Sequence, residues 1–141
     1  MEAVPGQERT RLFIVLSGLT TAATLTLLAC RARLLVPWWV LFAFGVPWVA
    51  FSIYLRAHRD GLGSEGKWVD WWSIPHVIGG VLLGNFELGF VWIVAIVVWW
   101  ECIEVVSRVF EHVTNRVTDV VIALVGWSLA QALLNDAFRL F

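Results

Sequence analysis

Residues 90–126 read FVWIVAIVVWWECIEVVSRVFEHVTNRVTDVVIALVG, and the fold turns on how Glu101, Glu104, Asn115 and Asp119 fit that run. Every residue from Phe90 to Trp100 is apolar, and apolar sequence resumes after Asp119. About 20 predominantly apolar residues suffice for a helix to cross a bilayer core. Ionisable side chains beside lipid are costly, so the carboxylates in this run are expected to face protein and to mark a site.

Composition supports a membrane setting. The chain has 141 residues, of which 60% are hydrophobic and 15% charged, with a mean hydropathy of +0.79. A water-soluble domain of this size is far less apolar. The net charge of −1 and the scattered basic residues give no positive field for nucleic acid. Cys30 and Cys102 form no CxxC and lie at apolar segments, so neither a disulfide nor a cysteine metal site is expected. Leu27 to Cys30 looks a little like a lipoprotein cleavage site, but the run before it is expected to remain as an anchor helix.

Hydropathy predicts an all-α integral membrane protein, a single domain with five transmembrane helices at about 12–29, 34–55, 73–86, 90–110 and 117–137. Pro37 and the Trp38-Trp39 pair open the second span, and Pro47 should kink it. The loop 56–72 is the most polar stretch and is rich in glycine. Ser73 is expected to cap the third helix, with Pro75 in its first turn and His76 one turn in. That helix is short, about 20 Å, so it is either a tilted span or a re-entrant half-helix. Gly80 and Gly84 in it have the small-xxx-small spacing of close helix contacts.

With five spans, seven of the ten Lys and Arg residues fall on one side: Arg9, Arg11, Arg56, Arg59, Lys67, Arg108 and Arg116. Arg31, Arg33 and Arg139 fall on the other. The positive-inside rule then places the N-terminus in the cytoplasm and the C-terminus outside, in a cell (inner) membrane. A re-entrant third segment would reduce that bias to little.

The same topology brings Asp70, His76, Glu101, Glu104, Asn115 and Asp119 to one membrane level, at the cytoplasmic side. Glu101 would lie about 18 Å along the fourth helix, the most deeply placed charge. Glu101, Glu104, Arg108 and Glu111 recur at helical spacing, and Asn115, Asp119, Ala123, Gly126 and Ala130 form a stripe on the fifth helix, so the two stripes are expected to meet. A histidine with several carboxylates is a set that binds divalent metals or relays protons, which makes His76, Glu101, Glu104 and Asp119 a candidate metal site. Asp70, Arg108 and Asn115 would be its structural polar surround.

Bland readings stand beside these. Glu104 and Arg108 could form an i,i+4 ion pair, Glu111 and His112 could be solvated loop, and Asp119 could be a helix cap. Ser73 and Ser107 have no evident activating partner and no HExxH motif is present, so catalysis is not favoured. Bound lipid or pigment is a further expectation from the ten Trp and nine Phe.

A His opening one helix, Trp100-Glu101 with Glu104 three residues on, and Asp119 followed by Gly126 together resemble small bacterial membrane proteins of the VanZ-like and YjdF-like type. The resemblance covers about residues 70–130 and implies a helical membrane fold. Those families carry an Asn where this chain has Ala123, which weakens the implied polar site.

Two functional expectations follow. One is a small membrane protein whose cluster holds a cation, a proton or a lipid headgroup. The other is a non-catalytic accessory subunit of a respiratory or photosynthetic membrane complex, with the cluster as an internal lock. Membrane lipids and either other membrane subunits or further copies of the chain are the expected partners.

Overall fold

The computed structural model describes residues 5–58, 61–64, 66–107 and 112–136. It is helical: α1 (Pro5–Arg31), α2 (Trp38–Ala57), α3 (Ser73–Gly84), α4 (Phe90–Val106) and α5 (Val113–Gln131), followed by a π-helical turn, Ala132–Asp136. Among the described residues there is no strand, only an isolated bridge between Leu34 and Phe86. Three helical segments are long and apolar enough to cross a membrane: Arg11–Cys30, Trp38–Ala57 and Val113–Leu134. The 12 residues of α3 rise only about 18 Å.

Element ends differ from the hydropathy boundaries for local reasons. Pro37, at φ −57° and ψ 139°, is extended and delays α2 to Trp38. The chain before it is used in a turn-to-turn contact instead, where Leu35 N donates to Asn85 O (2.8 Å) and Glu87 N donates to Arg33 O (2.8 Å). The third helix stops at Gly84 rather than 86. Its last carbonyls are taken by backbone and side chain: Asn85 N and Phe86 N donate to Leu82 O and Leu83 O, Asn85 Nδ2 donates to Val81 O (2.8 Å), and Gln131 Nε2 donates to Gly84 O (2.8 Å) and, just beyond the helix, to Phe86 O (2.9 Å). Away from water such carbonyls need protein donors. The fourth helix ends at Val106, and residues 108–111, with Arg108 and Glu111, lie outside the described residues. The fifth begins at Val113, four residues before the expected 117, and residue 137 lies outside the described residues.

The most extensive contact in the bundle joins α3 to α5. A Cβ added at Gly80 would collide with the Ala123 carbonyl, and one at Gly126 with the Val77 carbonyl. One at Gly84 would come within 2.5 Å of the Ala130 Cβ. The two backbones therefore touch without intervening side chains, as helices do where small residues face each other. Asn115, Asp119, Ala123, Gly126 and Ala130 are indeed the buried residues of α5. Its small end packs most closely on α3, while Ala123 also shares a core with Ile93 and Val97 of α4, the helix that the stripe match suggested.

The other helices attach around this pair. Trp48 of α2 donates its indole N–H to Pro75 O (2.8 Å) and lies beside Gly79. On α1, Phe13 meets Trp100 edge to face at 6.2 Å, and Thr20 Oγ1 accepts from Trp99 Nε1 (3.1 Å). A small core of Leu28, Leu88, Ile93, Val97 and Ala123 lies between the helices. Outward, large apolar side chains such as Trp38, Phe42, Ile53 and Val91 are more than half exposed. A run of such faces is suited to lipid or to partner helices rather than to water.

Replacing Gly80 or Gly126 with Ala should separate α3 from α5 and lower stability by roughly 1–3 kcal/mol, as overpacking does. Gly18, with open space around its Cβ position, provides the control: Gly18→Ala should leave the tryptophan-fluorescence unfolding transition in detergent unchanged or raise it slightly.

Candidate functional site

A polar layer sits where α3 and α5 begin and α4 approaches its end. The segment before α3 turns around Asp70, whose Oδ2 accepts from Gly66 N (2.7 Å) and whose Oδ1 accepts from Trp72 N (2.7 Å). Two further bonds hold this segment down: Trp72 Nε1 donates to Gly63 O (3.1 Å), and Thr114 Oγ1 donates to Lys67 O. The buried side chain of Asn115 then ties the segment to α5. Its Nδ2 donates to Asp70 Oδ2 (3.1 Å) and to Asp119 Oδ2 (3.3 Å). On the other oxygen of Asp119, Ser73 Oγ donates at 3.0 Å. Asp119 is only 1% exposed, so these donors are what make its burial tolerable.

His76 extends the layer to α4. Its Nδ1 lies 2.8 Å from Trp72 O and 3.6 Å from Asp119 Oδ2, while its Nε2 lies 3.5 Å from Glu101 Oε1. A carbonyl oxygen can only accept, so Nδ1 carries a hydrogen. Nε2 is thereby left to face the Glu101 carboxyl. Arg116 flanks the same carboxylate, with Nη1 3.9 Å from Glu101 Oε2 and 3.3 Å from the Glu101 carbonyl, to which it donates.

Glu101 is held more loosely than Asp119. Neither of its buried side-chain oxygens makes a hydrogen bond of normal length among the described residues. Ion-pair contacts at 3.5 and 3.9 Å surround it instead. Glu104, also buried, lies within electrostatic reach of Glu101, His76, Arg56 and Arg116. The Arg56 guanidinium stands 3.6 Å over the Phe13 ring, which joins α1 and α2 to this end of the bundle. Four carboxyl groups (Asp70, Glu101, Glu104, Asp119) thus gather with two guanidinium groups and His76. Among the described residues, four acidic side chains stand there against three basic ones.

The expected set His76, Glu101, Glu104 and Asp119 is therefore brought to one layer, with Asp70 and Asn115 beside it. It is not brought to one point. Among the described residues no three His, Cys, Asp or Glu side chains are grouped so as to hold a metal ion. The reason is geometric: His76 turns its two nitrogens toward different carboxylates on different helices, which strings the acids out in a row.

Two local expectations are corrected. Asp119 lies six residues into α5, so it is not a helix cap. Ser73 makes no cap hydrogen bond; its hydroxyl goes to Asp119. His112 stands exposed at the N-cap position of α5. Arg56 and Arg116, counted above only for orientation, belong to the layer. The readable signal for Arg116 was its position three residues before Asp119, in a helix otherwise apolar on that side.

Asp119→Leu would remove the acceptor of the Ser73 hydroxyl and one of the two acceptors of the Asn115 amide, and should cost about 3 kcal/mol or more. Asp119→Asn keeps an acceptor and should cost distinctly less, the two being compared by thermal unfolding in one detergent.

Comparison with family models, with curated proteins and with solved structures finds no match to this chain.

Proposed function

We propose that this chain is a multi-pass membrane protein that binds a proton in its polar layer, with His76 and Glu101 as the pair that holds it and Asp119 as the fixed counter-charge. The observation that carries this reading is the position of His76, one ring nitrogen turned to Glu101 and the other to Asp119. Imidazole can take a proton at one nitrogen and release one from the other, and its charge changes near physiological pH. Intramembrane acids next to a histidine are a recurrent arrangement for proton relays.

In this reading all five helices lie across the bilayer, the short α3 included, and the layer is at the cytoplasmic side. The Lys and Arg distribution supports that orientation. A neutral imidazole could also offer Nε2 to a divalent metal, yet Glu101 is the one carboxylate it faces there. A proton needs only the pair.

A second reading has its own observation. Trp38, Trp39, Phe42 and Phe44 stand exposed together on α2, a surface suited to a neighbouring membrane subunit. There the chain would be a non-catalytic accessory subunit and the layer an internal lock. A stoichiometric partner retained in mild detergent would favour it over the proton-binding reading.

The direct test uses nitrogen-15 histidine signals of the protein in lipid nanodiscs. Wild type should show His76 with hydrogen on both ring nitrogens or in exchange at Nε2, distinct from His58 and His112. Glu101→Gln should remove the Nε2 hydrogen and leave the other two histidines unchanged. An identical His76 signal in the two proteins would end the proposal, as would stoichiometric bound metal in wild type that disappears in Glu101→Gln.

A further inference from the structure

A groove of about 610 Å³ opens between α3, α5 and the segment leading into α3. Ile74 and Val77 of α3 and Val125 of α5 form apolar walls, and Trp71, Asp70 and Ser73 close one end. Of the polar side chains at that end, the Asp70 carboxylate only accepts hydrogen bonds, and the Trp71 indole only donates. The Ser73 hydroxyl hydrogen is committed to Asp119. Asp70 Oδ2 receives Gly66 N and Asn115 Nδ2, whereas Oδ1 receives only Trp72 N among the described residues and keeps a lone-pair direction. A head group that engages Asp70 must therefore bring N–H donors and a positive charge.

Around the polar end the chain has the features of a headgroup zone. Trp68 and Trp71 are about half exposed, and such rings favour the boundary between headgroups and acyl chains. Lys67 is exposed three residues before Asp70, and the segment is pinned because the Lys67 carbonyl accepts from Thr114 Oγ1. A carboxylate at the groove end and an ammonium just outside it match a zwitterion, with its own ammonium inward and its phosphate outward.

We propose that this groove binds a membrane phospholipid with a primary-ammonium head, its acyl chain along Ile74, Val77 and Val125, its ammonium on Asp70 and its phosphate toward Lys67. A choline head has no N–H to give, and a head with only an anionic charge meets Asp70 unfavourably. The site stands apart from the proton-binding reading, because neither His76 nor Glu101 lines it.

The test is lipid retention, read by native mass spectrometry, after reconstitution of the full chain in vesicles with equal parts phosphatidylethanolamine, phosphatidylcholine and phosphatidylglycerol. The wild type should keep one phosphatidylethanolamine per chain in preference to phosphatidylcholine by about tenfold, the worth of a charge-assisted hydrogen bond. Val125→Trp fills the groove from an exposed position and leaves every bond of Asp70 in place, so it should abolish that preference while the protein still folds. Asp70→Asn should weaken it, and Val91→Trp, on the exposed face of α4, should leave it intact. Equal retention of phosphatidylcholine, preference for phosphatidylglycerol, or a preference untouched by Val125→Trp would each overturn the proposal. So would equal loss in Val91→Trp, which indicates annular lipid only.

Discussion

The backbone contact between α3 and α5 fixes nearly everything else in the bundle. Gly80 meets Ala123, and Gly126 meets Val77, with no side chain between them. Helices this close cannot be driven together by water exclusion in a membrane; dispersion contacts and hydrogen bonds must hold them. Small residues supply the first. One to two turns toward the start of each helix, the same closeness lets Ser73 reach Asp119 and sets His76 beside it. Had the helices stood apart by a leucine side chain, Asp119 would be buried without its Ser73 donor.

The polar layer divides into a firm part and a loose part. Asp70, Asn115, Asp119 and Ser73 form a chain of bonds between 2.7 and 3.4 Å that joins the segment before α3 to both helices. That part fixes geometry, and partially satisfied networks of this kind would be costly. Glu101 differs: its carboxylate stands at ion-pair distance from His76 and Arg116 without a short hydrogen bond. A rigid acid on one side of an imidazole and a loosely held acid on the other make the two ring nitrogens unequal. Under the proton-binding proposal, a proton on the His76–Glu101 pair would move without disturbing the bonds that hold the helices.

Much of this was readable from residue types. The helical class follows from apolar run lengths, and the buried face of α5 follows from the recurrence of Asn115, Asp119, Ala123, Gly126 and Ala130. The gathering of His76 with Glu101 and Asp119 follows from the order of the helices. Partner identity was not readable, because periodicity says which residues share a face and not which helix covers it. Thus α5 was matched to α4 although Gly80 and Gly84 on α3 offered the closer fit. The start of α5 was missed because Thr114, Asn115 and Arg116 look like a polar turn. Their acceptors, the Lys67 carbonyl, Asp70 and the Glu101 carbonyl, lie between 15 and 47 residues away in the chain. Polarity suggested solvent where the fold supplies protein.

Ala123 shows how the two constraints bear on each other. In this chain Ala123 is 3% exposed and its carbonyl is pressed against Gly80. An amide side chain there would need space that the close helix contact removes. The polar layer consequently ends at Asp119, and the small-residue contact begins directly beyond it. Tight backbone packing and a longer polar stripe compete for the same face of α5. This sequence resolves the competition in favour of packing, which confines its ionisable chemistry to the row from Asp70 through Asp119 and His76 to Glu101.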